Sequence, residues 1–505
     1  MSTLKKFAGQ TLIYGLSTVI ARLLNFVLTP ILVKVYPTSV YGILTNLYSW
    51  AAILNAILAF GMETTFFRYL QKHEDNKERV YNTTFFFIVL TSVIFIVGTL
   101  LFARDISYWL FAEKGAERTI YIYYFAFILT ADALAVIPFA QLRAQEKPLR
   151  FGLIKLANIL IYVVFTILLI LVFPFIIKND LPGAAWLSGW LRPQWIGYVF
   201  LANLIASLVT LILLIPELSQ LKLQVNKKLM KEMLWYSLPI LVANLSFIIN
   251  ENLDKIFLTK LLPLDIGERD LGIYGACSKI AIFLSIFIQA FRLGAEPFFF
   301  SHAKNPNARK TYAIIMDYFI IAISIAVVAL VANMEILKYF IRGGDPLQQA
   351  QYWSGLPVVP VLLMGYVFLG IYMNLSIWYK LSDQTRFGLY ISGVGAVLTI
   401  VLNIIFIPEY SYVASAWITM MAYFTMMLLS YFLGQRNYPI PYHVGKNIVY
   451  IVAAAFISWL SFSIFNQNLL IGNALFFIFI IIAFLAERKQ LIELIVKKDD
   501  YQSNK

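Results

Sequence analysis

Apolar runs of roughly twenty residues follow one another along the chain, parted by short polar connections, and this alternation predicts a helix for each run. A hydrocarbon layer of about 30 Å is crossed by about 20 helical residues. About fourteen runs meet that length: 11–34, 42–63, 81–103, 119–140, 151–177, 194–215, 235–260, 271–298, 312–332, 355–377, 388–407, 412–433, 446–465 and 468–486. The predicted fold class is an all-α polytopic membrane protein. Lys5-Lys6 ahead of the first run imitates a secretory leader, but the run to Lys34 is too long and too broken by polar residues for one. The first helix is therefore expected to remain in the mature chain.

The runs are duplicated. Tyr41-Gly42, Gly61-Met62-Glu63, Phe66-Phe67 and Tyr81 recur as Tyr274-Gly275, Gly294-Ala295-Glu296, Phe299-Phe300 and Tyr312, and the offset is 233 residues both from Tyr41 to Tyr274 and from Glu63 to Glu296. The expected organisation is a six-helix lobe over 1–222, a second, pseudo-symmetric six-helix lobe over 223–440, and two C-terminal helices with a cytoplasmic tail over 441–505. Six is even, so both lobes begin on the same side of the membrane, as in a parallel repeat about an axis along the membrane normal. Paired lobes of this kind hold a solute between them and expose it to each side in turn, so the duplication points to transport. The connections 178–193 and 333–354 are too short to form domains, which leaves function to the helices and the space they enclose.

Composition narrows the class further. The chain is 60% hydrophobic and only 13% charged, too apolar for a soluble protein of 505 residues. A net charge of +13 would suggest nucleic acid in a soluble domain. Here about 25 lysines and arginines sit in alternate connections, beginning with 1–10 and 68–80, against about 10 in the opposite set. That is the positive-inside pattern with both termini cytoplasmic, and it assigns the basic excess to topology and anionic membrane lipids, with no nucleic-acid partner. The three histidines, His73, His302 and His443, all fall in connections, which argues against a histidine metal site or proton relay within the membrane. The chain has no Gly-x-x-x-x-Gly-Lys-Ser/Thr loop for ATP, and no cofactor is expected. Movement must then run on an H+ or Na+ gradient, a potential or the gradient of the solute itself. Cys277, the lone cysteine, can form no intramolecular disulfide.

An ionised side chain at mid-membrane costs about 2.5–3.5 kcal/mol on insertion scales, so such residues face a cavity or each other. Gly15, Thr18, Arg22, Asn25 and Thr29 form one stripe at 100° per residue. Arg22, near mid-span, either binds an anion in a central cavity, with Asn25 beside it, or forms a structural pair with Asp132. On the seventh run Asn244, Glu251 and Lys255 share a face, with Asp254 adjoining. Glu251 and Lys255 are spaced for an intrahelical pair, leaving open whether they are neutralised or serve a gate or coupling ion. Asp254 has no partner in the spacing. The eighth run aligns Ser278, Ser285, Gln289, Arg292 and Glu296, where the first copy has Thr45, Ala52, Ala56, Ala59 and Glu63. Gln289 and Arg292 are candidate solute contacts, with plain helix-end anchoring as the other reading of Arg292. Glu63 and Glu296, near helix ends, are candidates for gating or for plain anchoring.

The run from Gly42 to Leu70, with Phe60-Gly61-Met62-Glu63-Thr64-Thr65-Phe66-Phe67-Arg68-Tyr69 at its end, and the second-copy Tyr274-Gly275 and Ala295-Glu296-Pro297-Phe298-Phe299-Phe300, together resemble the polysaccharide-exporter family. That family includes the O-antigen and capsule flippases of the multidrug/oligosaccharidyl-lipid/polysaccharide exporter superfamily. The resemblance implies a V-shaped pair of six-helix lobes plus two helices in the bacterial cytoplasmic membrane. It implies a transporter rather than an enzyme, moving a polyprenyl-pyrophosphate-linked oligosaccharide from the inner to the outer leaflet through a cationic cavity. Arg22 matches, in span and depth, an arginine of the related lipid-linked peptidoglycan-precursor flippases, whereas Asn244 stands where the second lobe would repeat it. Two other readings compete. A cation-coupled multidrug antiporter of the same superfamily should carry an acidic mid-membrane cavity, and a glycan polymerase or ligase should expose a sizeable outer loop.

Overall fold

The computed structural model describes residues 26–222 and 226–503, which leaves Arg22 and Asn25 outside the described residues. Among the described residues the chain is helical, without strands. Its principal helices are α1 (Phe26–Val35), α2 (Thr38–Ala59), α3 (Met62–Lys72), α4 (Lys77–Leu101), α5 (Ala103–Phe111), α6 (Gly115–Ala144), α7 (Pro148–Ile167) and α8 (Gly197–Leu213). They continue with α9 (Lys227–Leu261), α10 (Leu264–His302), α11 (Ala308–Ala332), α12 (Pro346–Trp353), α13 (Val358–Leu375), α14 (Ile377–Leu381), α15 (Arg386–Asn437), α16 (Val444–Trp459) and α17 (Leu469–Ser503). Eleven helices among the described residues are long and apolar enough to cross a membrane, and α1 and α8 are shorter apolar helices. Thirteen of the fourteen apolar runs fall on helices, with 388–407 and 412–433 sharing α15, while the run 11–34 lies within the described residues only from Phe26 onward.

Local chemistry sets the ends and breaks. Asn226 caps α9 by accepting from the backbone N–H of Lys228 and Leu229, and Asp345 caps α12 through Gln348. Within α15, Pro408 lacks an N–H, and three residues later Ser411 leaves helical geometry at φ 49°, ψ −136°. The two apolar runs therefore part there. Phe60 and Gly61 both have positive φ and separate α2 from α3. At Gly61 a Cβ would also stand 2.9 Å from the Ile240 side chain, so glycine meets two demands at once. Gly294, its repeat partner, lies inside α10 with open space around it.

The chain packs as two compact units: Met1–Lys279, Arg342–Ser354 and Arg386–Ala422 form one, and Ile280–Ile341, Gly355–Thr385 and Tyr423–Lys505 the other. Units are set by contact and the sequence lobes by repetition, so neither division decides the other. In the first unit α2 lies along α9, α6 contacts α4, α5 and α8, and α8 packs on α7. Lipid offers no hydrophobic drive between helices, so close fit and hydrogen bonds must hold them. The tightest fit is between α2 and α10. A Cβ on Gly42 would come 1.8 Å from the Glu268 carbonyl oxygen, and one on Gly272 1.8 Å from that of Thr38.

In the second unit α11 is flanked by α13, α16 and α17. The buried Asp317 carboxylate lies 2.6 Å from His443 Nδ1 and accepts from Asn447 Nδ2 at 3.0 Å. Glu487 accepts from Lys446 Nζ at 2.6 Å and from Tyr450 Oη at 3.0 Å. These bonds tie α16 to α11 and to α17.

Candidate functional site

Polar residues that the apolar helices carry inward gather on α9, α10 and α15 of the first unit. Asp254 is buried and accepts from Tyr274 Oη at 2.7 Å and from Lys255 Nζ at 3.1 Å. Sequence spacing gave Asp254 no partner, and the structure gives it two. Lys255 also reaches the backbone carbonyl of Glu251 and lies 5.6 Å from the centroid of the Tyr274 ring. One turn earlier, Asn250 donates to the Ser392 carbonyl at 3.2 Å and accepts from Thr399 Oγ1 at 3.1 Å. Asn403 and Ser415 extend the chain of bonds along α15. Asn244, two turns before Glu251, is exposed.

Lys279 completes the cluster. It stands in the middle of α10, half-buried, near enough to Lys255 to feel its charge, and no hydrogen bond or ion pair engages it among the described residues. Lys255 and Lys279 share the region with the carboxylates of Glu251 and Asp254, and Asp254 already serves Tyr274 and Lys255. A lysine without a bonded carboxylate inside an apolar helix is a candidate functional residue. The sequence reading passed over Lys279, although it adjoins Ser278 on the polar stripe. The 233-residue repeat places Asn46 at the matching position of α2, where its buried Oδ1 has no hydrogen-bond partner among the described residues.

A second polar group lies among α2, α6, α7 and α8 of the same unit. Asp132 accepts from Ser207 Oγ at 2.9 Å, Asn158 donates to Thr210 Oγ1 at 2.9 Å, and Asn203 donates to Tyr48 Oη at 2.8 Å. Lys155 is the cation that Asp132 feels, and its Nζ sits 4.1 Å from the centroid of the Phe139 ring.

The duplicated Gly-x-Glu motif builds the same contact twice. Glu63 pairs with Arg143 inside the first unit, and Glu296 pairs with Lys380 at 2.6 Å inside the second. Phe66 meets Tyr81 edge-on with ring centroids 6.2 Å apart, as Phe299 meets Tyr312 at 5.0 Å. Arg292 lies 4.0 Å from Glu296, and Gln289 donates to Ser285 at 3.2 Å.

One end of the first unit carries a dense charged network beside the α2–α10 crossing. Arg118 grips the buried Glu268 with two nitrogens, Lys114 pairs with Asp265, and Thr38 donates to Gln351 at 3.2 Å. Tyr352 Oη donates to the Tyr36 carbonyl at 2.9 Å, and Lys260 lies 3.7 Å from the centroid of the Trp109 ring. A cavity of about 460 Å³ opens among Thr38, Lys114, Arg118, Asp265, Glu268 and Gln351.

A sequence model described as polysaccharide biosynthesis protein matches residues 7–301, more than half of the chain. The chain belongs to the polysaccharide biosynthesis protein family. The MatE model matches residues 239–405. A curated relative, a protein of the Lsg locus of Haemophilus influenzae, is 20% identical over 302 residues, 59% of this chain and 67% of its own. Among solved structures, the lipid II flippase MurJ in an inward closed conformation aligns with a TM-score of 0.71 at 15% identity, covering 95% of this chain and all of that one. A multidrug resistance MATE family transporter of the MOP superfamily, inward-facing, aligns at 0.62 with 14% identity, over 86% of this chain and 95% of its own. This polysaccharide biosynthesis family member is thus a multi-pass membrane protein with the fold that flippase and multidrug transporters share.

Proposed function

We propose that this chain flips a polyprenyl-diphosphate-linked oligosaccharide across a bacterial cytoplasmic membrane by alternating access. The observation that carries the reading is Lys279, a half-buried lysine in the middle of an apolar helix with no hydrogen bond or ion pair among the described residues, which suits a diphosphate and opposes a cationic drug. A multiply charged anion held at low dielectric needs such a partner, and charge-assisted bonds are the strong ones. Membership of the polysaccharide biosynthesis family supports the substrate class.

The sites follow from that reading. Arg22, Asn25, Asn244, Gln289 and Arg292 are the further candidate substrate contacts beside Lys279. Asp132, Glu251, Asp254 and Lys255, with Glu63 and Glu296, serve gating or coupling to H+ or Na+. The lobes 1–222 and 223–440 are the bodies that rock, 441–505 adds two helices, and both termini are cytoplasmic. With that orientation the Arg118–Glu268 and Lys114–Asp265 network closes the outer end of the first unit.

The test places the purified protein in vesicles and follows a fluorescent lipid-linked oligosaccharide between leaflets. Transfer above protein-free vesicles is expected. No transfer, combined with efflux of a cationic dye driven by a proton gradient, would replace this reading with the antiporter that the MatE match keeps in view.

A further inference from the structure

We propose that the crevice between α10 and α13–α14 in the second unit is a binding site for phosphate oxyanions, held shut in this structure by its own carboxylate, Glu296. Arg292, Glu296, Asn374 and Lys380 line it, with Phe291 and Met373 on its apolar wall. Asn374 is only 7% exposed, yet its Nδ2 has no hydrogen-bond partner among the described residues. A buried donor left in that state costs about 1–3 kcal/mol, which a bound oxyanion removes.

The other three side chains supply the charge. Lys380 Nζ lies 2.6 Å from Glu296 Oε1, and Arg292 Nε lies 4.0 Å from Glu296 Oε2. Lys380, Glu296 and Arg292 are 31%, 36% and 48% exposed, so a ligand can reach them. With two cations and one carboxylate, the crevice carries an excess positive charge. The free space is about 20 Å³, room for about one water-sized group and too little for a phosphate beside the carboxylate. A phosphate fits in its place. Once Glu296 turns outward, a guanidinium, an ammonium and an amide N–H remain, a set of donors with no anion among them, which is what a phosphate group requires. Glu296 is the internal stand-in for a phosphate oxygen, and its release is the step that opens the site.

The ligand chemistry is a phosphate mono- or diester or a diphosphate, carried by a lipid headgroup or free in solution. The identity of the physiological occupant rests on the flippase reading, whereas binding itself rests on the crevice alone. The experiment titrates inorganic pyrophosphate into the purified full-length protein by calorimetry, in detergent and in nanodiscs of phosphatidylcholine or phosphatidylglycerol. Glu296→Gln, nearly isosteric, is expected to tighten binding about tenfold over wild type, and adding Lys380→Ala or Asn374→Leu to it is expected to remove that gain. Weaker pyrophosphate binding in phosphatidylglycerol than in phosphatidylcholine identifies a lipid headgroup as competitor, and equal binding identifies a soluble phosphate. The proposal falls if Glu296→Gln binds no tighter than wild type, or if the gain survives Lys380→Ala. Wild type that moves no lipid-linked oligosaccharide between leaflets, while Glu296→Gln still shows the gain, would overturn the flippase reading and spare this site.

Discussion

Asp254 illustrates what spacing along a helix conveys and what it does not. Glu251 and Lys255 are four apart and read as a pair, but the ammonium group of Lys255 bonds the Asp254 carboxylate and the Glu251 backbone carbonyl. The second partner of Asp254, Tyr274, comes from the next helix, and no periodicity within α9 reveals it. Lys279 escaped notice for a related reason, since one lysine barely lowers the hydropathy of a long apolar run. By contrast Glu63 and Glu296 were legible because the chain repeats them, and their cationic partners follow the repeat in kind. Asp254→Leu should leave the half-buried Lys255 without its carboxylate, a change expected to cost somewhat less than breaking a fully buried pair, which costs about 3–5 kcal/mol. Asp254→Asn keeps an acceptor for Tyr274 and should cost less. Thermal unfolding in detergent checks both, and equal midpoints for the two variants would refute the pairing.

Helices were legible because hydrocarbon thickness dictates their length, and the break at Ser411 was legible because Pro408 and the polar residues after it interrupt the apolar run. Their contacts were not. The repeated Tyr-Gly announced itself in the sequence without disclosing that Gly42 lets α2 touch the backbone of α10. A side chain at this crossing must push the two helices apart, since 1.8 Å to a carbonyl oxygen is far inside contact distance. Gly42→Leu is therefore expected to open this end of the first unit. A cysteine placed at Thr38, otherwise buried, should then react with a water-soluble maleimide several-fold faster than in the parent. Arg118→Ala should raise the same rate, because it strands Glu268, which is 2% exposed, without its bidentate partner. Unchanged labelling in both variants would show that the crossing and the ion pair do not hold this end closed.

The two polar clusters of the first unit have different characters. Around Asp132 a carboxylate faces Lys155, whereas near Asp254 a lysine, Lys279, has no hydrogen bond or ion pair among the described residues. That lysine is the physical basis on which an anionic substrate is proposed, and it lies in a fold shared with a lipid II flippase and a multidrug transporter. Hydropathy made the helical membrane fold legible from sequence, but that Lys279 stands without a bonded carboxylate emerged only from the contacts of α9 and α10. The most direct measurement is therefore the translocation rate of a lipid-linked oligosaccharide in vesicles carrying wild type, Lys279→Arg or Lys279→Met, each matched for inserted protein. Arginine should keep the rate within a few-fold, and methionine, which preserves length and loses charge, should lower it at least tenfold. Equal rates for the methionine variant and wild type would contradict the assignment of the diphosphate to this lysine.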